Sequence, residues 1–107
     1  MYGGIIVYKI LLCCMSGLTT TMLVNAMKKE AHRQNINVMI WTAISSAIEL
    51  FWAEADCILI APQNAGDLEK IRSIVKNSIP GAVIEEKDLL EMNGEVVLKQ
   101  AIELIEK

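Results

Sequence analysis

Residues 9–21 decide the fold of this chain and read Lys9-Ile-Leu-Leu-Cys-Cys-Met-Ser-Gly-Leu-Thr-Thr-Thr21. An apolar run leads to two adjacent cysteines, and a short stretch containing Gly17 is followed by a helical pattern over residues 22–27. The pattern predicts a strand, a tight loop and a helix, with a thiol at the turning point. Gly17 is expected to let the backbone bend where a Cβ atom would obstruct it.

The predicted loop has the features of an anion site. Amides in the first turn of a helix have no partner within the helix, and the helix dipole is positive at the same end. Together they suit a phosphate-sized group. A cysteine at the rim of such a site is stabilised as a thiolate, which can attack phosphorus and form a phosphocysteine. We predict one of the two adjacent cysteines as the catalytic residue, and as phosphate-binding residues Met15, Ser16, Gly17, Leu18, Thr19 and Thr20.

Two stretches of the chain resemble a known family. The spacing Cys14-Met-Ser-Gly-Leu-Thr-Thr20, directly after a first strand, resembles enzyme IIB of the lactose/cellobiose family of the bacterial phosphoenolpyruvate-dependent sugar phosphotransferase system. Residues 55–63, Ala-Asp-Cys-Ile-Leu-Ile-Ala-Pro-Gln, are similar to the third strand of that family, which ends in Pro-Gln. Length and element order also agree. The departures are Cys13, Met15 and the stretch 41–52, which contains Trp41 and Trp52.

The resemblance implies a phosphotransferase that acts as a phosphocarrier. In the family, a phosphohistidine of enzyme IIA donates its phosphoryl group to the cysteine at the end of strand one, here Cys14. The cysteine then passes the group to a sugar bound in the membrane enzyme IIC. The resemblance implies a β-linked disaccharide such as cellobiose or chitobiose, with lactose as the alternative, and no cofactor.

Length and composition bound the function without deciding it. The 107 residues suit one domain spanning 1–107, and 53% of them are apolar. No apolar run reaches the roughly 20 residues of a membrane span, and Lys9 interrupts the apolar N-terminal segment that a secretory signal would need. A net charge of −3 argues against a nucleic-acid partner. Three cysteines, an odd number, indicate a reducing cytoplasm, and we expect a cytoplasmic monomer.

Strands and helices alternate along the chain. The patterns predict strands within residues 5–13, 36–41, 57–61 and 82–85, and helices over residues 19–34, 42–55, 66–77, 87–90 and 95–107. In the second of these helices, five residues are predicted to share one face: Ile44, Ala47, Ile48, Phe51 and Trp52.

This alternation predicts a three-layer α/β fold, in which a four-stranded parallel sheet has helices on both faces. The family resemblance implies the strand order 2-1-3-4. Ligands of such sheets bind at the carboxyl ends of the strands, where the order reverses. We therefore expect Cys14, Pro62-Gln63 and Glu85-Glu86 on one rim.

Several residues allow a structural interpretation as well as a functional one. Cys13 and Cys57 are expected to pack in the core, and the single histidine without paired ligands argues against a metal site. Hydroxyl groups of Ser16 and residues 19–21 can donate to phosphate, and Thr19 or Thr20 can equally cap the helix. Met15 and Leu18 either contact a partner or fold back onto the core.

The main alternative is a phosphatase of the low-molecular-weight tyrosine phosphatase type, or a related arsenate reductase. Such enzymes need an arginine six residues after the cysteine to clamp the phosphoryl oxygens. Here that position is Thr20, and no arginine precedes Arg33. No aspartate lies near the loop in sequence to act as a general acid. A non-enzymatic binding module of flavodoxin-like shape, in which the cysteine is incidental, is the third hypothesis.

Overall fold

A computed structural model describes residues 6–14 and 17–107 of the chain. Its centre is a parallel sheet of four strands, in the order β2-β1-β3-β4. The strands are β1 (Tyr8–Cys13), β2 (Val38–Ala43), β3 (Cys57–Ile60) and β4 (Gly81–Val83). The predicted fold class and strand order are confirmed.

Helices cover both faces of this sheet. They are α1 (Gly17–Arg33), α2 (Ile48–Phe51), α3 (Leu68–Val75), α4 (Glu86–Leu90) and α5 (Gly94–Glu106). The side chains of β1 alternate between the two faces, as those of a strand must. Ile10 and Leu12 belong to the core cluster that contains residues of α1 and α5, whereas Leu11 and Cys13 belong to the cluster on the other face.

Strand register aligns the carboxyl ends of all four strands. Cys13 pairs with Ala43 of β2 and with Ile60 of β3, and Ile60 pairs with Val83 of β4. Each of these four residues is the last of its strand. The four strands therefore end at the same height, and the segments that follow them emerge side by side at the carboxyl end of the sheet.

The helix predicted over residues 42–55 is wrong. Strand β2 continues to Ala43 because it pairs with β1 along the whole length of that strand. The following residues form a 3₁₀ turn (Ser45–Ala47), the single turn α2 and a second 3₁₀ turn (Trp52–Glu54). The five residues predicted to share one helical face are divided among these short turns. Only Ile48 of the five is buried, while Ile44 is 50% and Phe51 45% exposed.

Other boundaries shift by a few residues. The first helix begins at Gly17, two residues earlier than predicted, and β2 begins two residues later than predicted. The predicted break at Asn35 is confirmed, because Asn35 has a φ of 57° just after α1, the left-handed conformation in which helices often end. The predicted loop after β3 is a run of 3₁₀ turns over Pro62–Asp67.

Helices α1 and α5 approach each other closely at Gly94, the first residue of α5. A Cβ atom on Gly94 would lie 2.5 Å from the carbonyl carbon and oxygen of Ala26 and 2.8 Å from the amide nitrogen of Met27. These are backbone atoms of α1, so the clash cannot be relieved by a side-chain rotation.

Gly94→Ala should destabilise the protein, even though alanine favours helices more than glycine does. We expect a loss of about 1–3 kcal/mol in the free energy of unfolding, the usual cost of overpacking. Urea denaturation measures this loss. Gly66→Ala is the matched control, because a Cβ atom there meets nothing within 4 Å. Equal stability of the two variants would contradict the close packing at Gly94.

Candidate functional site

Cys14 is the first residue after strand β1, at the carboxyl end of the sheet. Its backbone N–H donates to the carbonyl oxygen of Ala43, 3.0 Å away. On the other side, the N–H of Ala61 donates to the carbonyl oxygen of Cys13 at 2.9 Å. The residue is only 5% exposed. The pairing of β1 with both neighbours thus fixes the backbone from which the Cys14 thiol projects.

Helix α1 begins three residues after Cys14 and is the longest helix among the described residues. The amides of Gly17 and the next three residues lie in its first turn, where no helical acceptor exists for them. The positive end of the helix dipole is also there. The backbone from Gly17 to Thr20 therefore supplies the donors expected of an anion site.

The helix boundary changes the role expected of two threonines. Thr19 and Thr20 lie within the first turn, so neither caps the helix and this structural alternative is wrong. A cap precedes the first helical residue, and Gly17 is already helical. Thr20 is buried, with 4% of its surface exposed. The predicted contributions of Met15 and Ser16, and of the side chains of Leu18 and Thr19, lie outside the described residues.

The remaining strands place further segments at the same edge. The N–H of Ile84 donates to the carbonyl oxygen of Ile60 at 2.8 Å, which continues the β3–β4 pairing to the residue after β4. Pro62 and Gln63 follow β3, and Glu85 and Glu86 follow Ile84 with both residues exposed. The predicted rim of Cys14, Pro62-Gln63 and Glu85-Glu86 thus corresponds to segments that leave adjacent strands.

The other two cysteines are fully buried, as predicted. Cys57 packs in the core cluster on the α1 and α5 face, and Cys13 packs on the opposite face. Burial, with a smaller contribution from the Asp56 carboxylate, raises the pKa of Cys57 to about 12. Burial likewise raises the pKa of Cys13. Below alkaline pH, both thiols therefore stay protonated.

A polar cluster that the sequence analysis missed lies beside Cys13. We call it the Ser45 cluster, and it consists of Cys13, Ser45, Asn64 and Asp67. The Cys13 Sγ atom is 3.2 Å from Ser45 Oγ, and Ser45 Oγ donates to Asp67 Oδ2 at 2.7 Å. Asn64 Nδ2 lies 3.4 Å from Ser45 Oγ and 3.3 Å from Asp67 Oδ2. Its members come from three segments that are distant in sequence, so no local motif indicates it.

The charge state of Asp67 bears on the phosphatase alternative. Hydrogen bonds from Ser45 and then Asn64 lower the pKa of Asp67, so this carboxyl is ionised at neutral pH. A phosphatase needs a protonated carboxyl to give its proton to the leaving group. Asp67 lies beside Cys13 in the Ser45 cluster, but its hydrogen bonds favour the ionised carboxylate, which cannot act as a general acid.

Comparison with known proteins identifies the family. Residues 9–100 match the family described as PTS system, lactose/cellobiose specific IIB subunit. The chain belongs to this family. A cellobiose-specific phosphotransferase IIB component from Borrelia burgdorferi is 34% identical, with 96% of this chain and 95% of that one covered and a TM-score of 0.81. A lactose-specific IIB domain from Streptococcus pneumoniae is 18% identical, and the match covers 91% of this chain and 96% of that one. Its TM-score of 0.80 shows that the two share the fold.

Both arginines of this IIB chain pair with glutamates of their own helices. The sequence contains two, Arg33 and Arg72. Arg33 is the last residue of α1, at the end opposite Cys14, and pairs with Glu30. Arg72 Nη1 donates to Glu69 Oε1 at 2.9 Å, within α3. Helix α1 contains 17 residues and so separates Arg33 from the loop by about 25 Å.

The described helices do not include one that is both long and apolar enough to cross a membrane.

The buried thiol of Cys57 should make stability depend on pH in the alkaline range. In the unfolded chain this thiol loses its proton near pH 9, whereas in the folded protein it keeps the proton to about pH 12. The free energy of unfolding should therefore fall as the pH rises above 9, by about 1.4 kcal/mol per pH unit for one proton. Urea titrations from pH 8 to pH 10.5 should show a shallower fall for Cys57→Ala. Equal slopes for the wild type and Cys57→Ala would show that Cys57 ionises as easily in the folded protein as in the unfolded chain.

Proposed function

We propose that this IIB component carries phosphate on Cys14. The observation that supports this most directly is the position of Cys14, one residue beyond the central strand and three residues before the amino end of α1. A nucleophile at this point faces the helix dipole and the free amides of the first turn. No other cysteine suits the role, because Cys13 and Cys57 are fully buried and keep their protons.

The reaction consists of two transfers through this thiolate. In the first, the sulfur of Cys14 attacks the phosphorus of a phosphohistidine on IIA, the P–N bond breaks, and the leaving imidazole takes up a proton. In the second, a hydroxyl of a sugar held by IIC attacks the same phosphorus, the P–S bond breaks, and the hydroxyl loses its proton while Cys14 returns as a thiolate. The amides of Gly17 to Thr20 hold the charge on the phosphoryl oxygens in both steps.

A carrier must bind phosphate without hydrolysing it. Neutral backbone donors and a helix dipole stabilise the bound group, but they do not activate water. An arginine clamp together with a general acid would favour hydrolysis. Here the two arginines pair with Glu30 and Glu69, and Asp67 is ionised and cannot donate a proton. These features favour a carrier over a phosphatase.

We propose a β-linked disaccharide as the sugar, with IIA as donor and a IIC-bound sugar as acceptor, at the cytoplasmic side of the membrane. The cellobiose specificity of the Borrelia burgdorferi relative, at 34% identity, supports this class. Sugar phosphorylation by membranes containing the cognate IIC, measured with cellobiose, chitobiose and lactose, distinguishes the candidates.

Cys14→Ser should abolish phosphate transfer and leave the fold intact. Intact-mass analysis after incubation with phosphoenolpyruvate and the upstream carriers should show one phosphate per wild-type chain, on Cys14, with the lability of a thiophosphate. Cys13→Ser and Cys57→Ser should still accept phosphate. If Cys13→Ser is the inactive variant, the phosphate is carried by the neighbouring cysteine instead.

Aryl phosphates should not be turned over. The protein should hydrolyse p-nitrophenyl phosphate no faster than the Cys14→Ser variant does, since it has neither the arginine clamp nor a protonated carboxyl. Release of p-nitrophenol, followed by its absorbance, measures this. Turnover that depends on Cys14 would support the phosphatase hypothesis.

If backbone amides hold the phosphate, no single hydroxyl should be indispensable. Ser16→Ala, Thr19→Ala and Thr20→Ala should each weaken transfer by about 0.5–1.5 kcal/mol, the value of one neutral hydrogen bond. Gly17→Val should cost more than any of them, because a bulky residue where the loop meets α1 should force the amides away from their anion-binding arrangement. Initial rates of transfer from phosphorylated IIA measure all four. A normal rate for Gly17→Val would place the phosphate elsewhere.

A further inference from the structure

The site poses a problem of charge, because two cysteines are adjacent at the end of β1. If both were thiolates, two negative charges would lie one residue apart, where a phosphoryl group must also arrive. The side chain of Cys13 belongs to the core cluster with Ala43, Ile48 and Ile60, on the face of the sheet opposite α1. Its polar neighbours are those of the Ser45 cluster.

The protons of the Ser45 cluster can be counted. A hydroxyl has one proton to donate, and an ionised carboxylate can only accept. The 2.7 Å contact between Ser45 Oγ and Asp67 Oδ2 therefore uses the only proton of Ser45. Ser45 Oγ is left with lone pairs alone for its 3.2 Å contact with Cys13 Sγ. The contact is a hydrogen bond only if Cys13 donates, and Cys13 can donate only as a protonated thiol.

Asn64 adds a donor beside the same two oxygen atoms. Its Nδ2 atom faces two acceptors, Ser45 Oγ and Asp67 Oδ2, so the reverse orientation of the amide would place oxygen against oxygen. Asn64 is buried, with 5% of its surface exposed, and its Oδ1 atom has no partner among the described residues. The amide keeps this orientation although one of its own atoms stays unpaired.

We propose that Ser45, Asn64 and Asp67 form a protonation lock that holds Cys13 as a neutral thiol, so that the negative charge at the end of β1 belongs to Cys14 and its phosphate. The three are positioning residues: they act through the charge state of Cys13. The effect of the lock on phosphate transfer rests on the proposed role of Cys14. The lock itself can be tested independently of that role.

The charges around Cys13 act in the same direction as the geometry. Burial raises the pKa of Cys13 most, and the charges of Cys14 and Asp67 raise it further. A hydrogen bond donated by Ser45 would lower this pKa, but the proton of Ser45 is used in its bond to Asp67. Asp67 is itself influenced by Lys70. Cys14 and Asp67 are thus the titratable groups that act on Cys13, one from its own strand end and one from the segment before α3.

A titration of the cysteines tests the lock directly. Chains labelled with ¹³C at the cysteine Cβ atoms give three signals, which Cys13→Ser and Cys57→Ser assign. Asp67→Asn removes the charge and lets the new amide donate to Ser45, whose proton is then free to face Cys13. The midpoint of Cys13 should fall by about one pH unit.

Asp56→Asn is the matched control, since the same change is made at the opposite end of the sheet. Asp56 Oδ2 accepts from the backbone N–H of Lys9 at 3.0 Å, and its charge acts on Cys57. This variant should lower the midpoint of Cys57 and leave that of Cys13 unchanged. A Cys13 midpoint that ignores Asp67→Asn, or that moves equally in both variants, would overturn the lock.

The consequence for transfer is tested by a pH profile. The transfer rate of Asp67→Asn from phosphorylated IIA, divided by the wild-type rate, should be near one at pH 7 and fall as the pH rises through the new Cys13 midpoint. The double variant Asp67→Asn/Cys13→Ser should restore the ratio, because serine can donate to Ser45 but does not ionise. A ratio lowered equally at all pH values, without rescue, would show ordinary structural damage and overturn the proposal.

The two experiments also separate failure of the lock from failure of the proposed function. If wild-type protein accepts no phosphate on Cys14, the proposed function fails, and the titration of Cys13 still decides whether the lock exists. If phosphate is accepted but the Asp67→Asn profile stays flat although the Cys13 midpoint has moved, the lock has no role in transfer and the proposal is overturned.

Discussion

Hydrogen bonding of β1 along both of its edges is the constraint on which the rest of the structure depends. All six residues of the strand pair with β2, and its last four pair with β3. At its start, the carboxylate of Asp56 accepts from the N–H of Lys9, and the N–H of Asp56 donates to the Lys9 carbonyl oxygen at 2.7 Å. The strand therefore cannot slide, and a one-residue slip would exchange Cys13 and Cys14 between the faces of the sheet.

Electrostatics at the edge of the sheet follows from this register. The start of α1 brings partial positive charge and free amides close to Cys14. On the other face, Asp67 is a full negative charge, but hydrogen bonds from Ser45 and Asn64 occupy the same carboxylate oxygen. The two faces of the sheet thus present different chemistry within a few residues of each other. In the proposed function, a phosphoryl group on Cys14 is held by neutral donors.

Local patterns in the sequence predicted much of this arrangement, and the failures have physical causes. The continuous apolar run of β3 and the helical spacing in α1 and α5 were sufficient to predict those elements. Burial on both faces leaves a short continuous apolar run, and burial of one helical face leaves a 3.6-residue period. The segment after β2 was predicted as a helix because its apolar residues can share a helical face. Pairing with β1 instead keeps Thr42 and Ala43 in the sheet, and the remaining residues form short turns with Ile44 and Phe51 exposed.

The sequence by itself determined the strand before Cys14 and the helix after it, the alternation that leads to a parallel sheet, and the burial of Cys13 and Cys57. These depend on residues close to one another in the chain. Only the tertiary structure decided which polar groups meet Cys13. Ser45 lies 32 residues from Cys13, and Asp67 lies 22 residues beyond Ser45. Strand order and register bring them within hydrogen-bonding distance. A contact of this kind leaves no periodic signal, because the four members of the Ser45 cluster are single side chains from segments at the ends of three different strands.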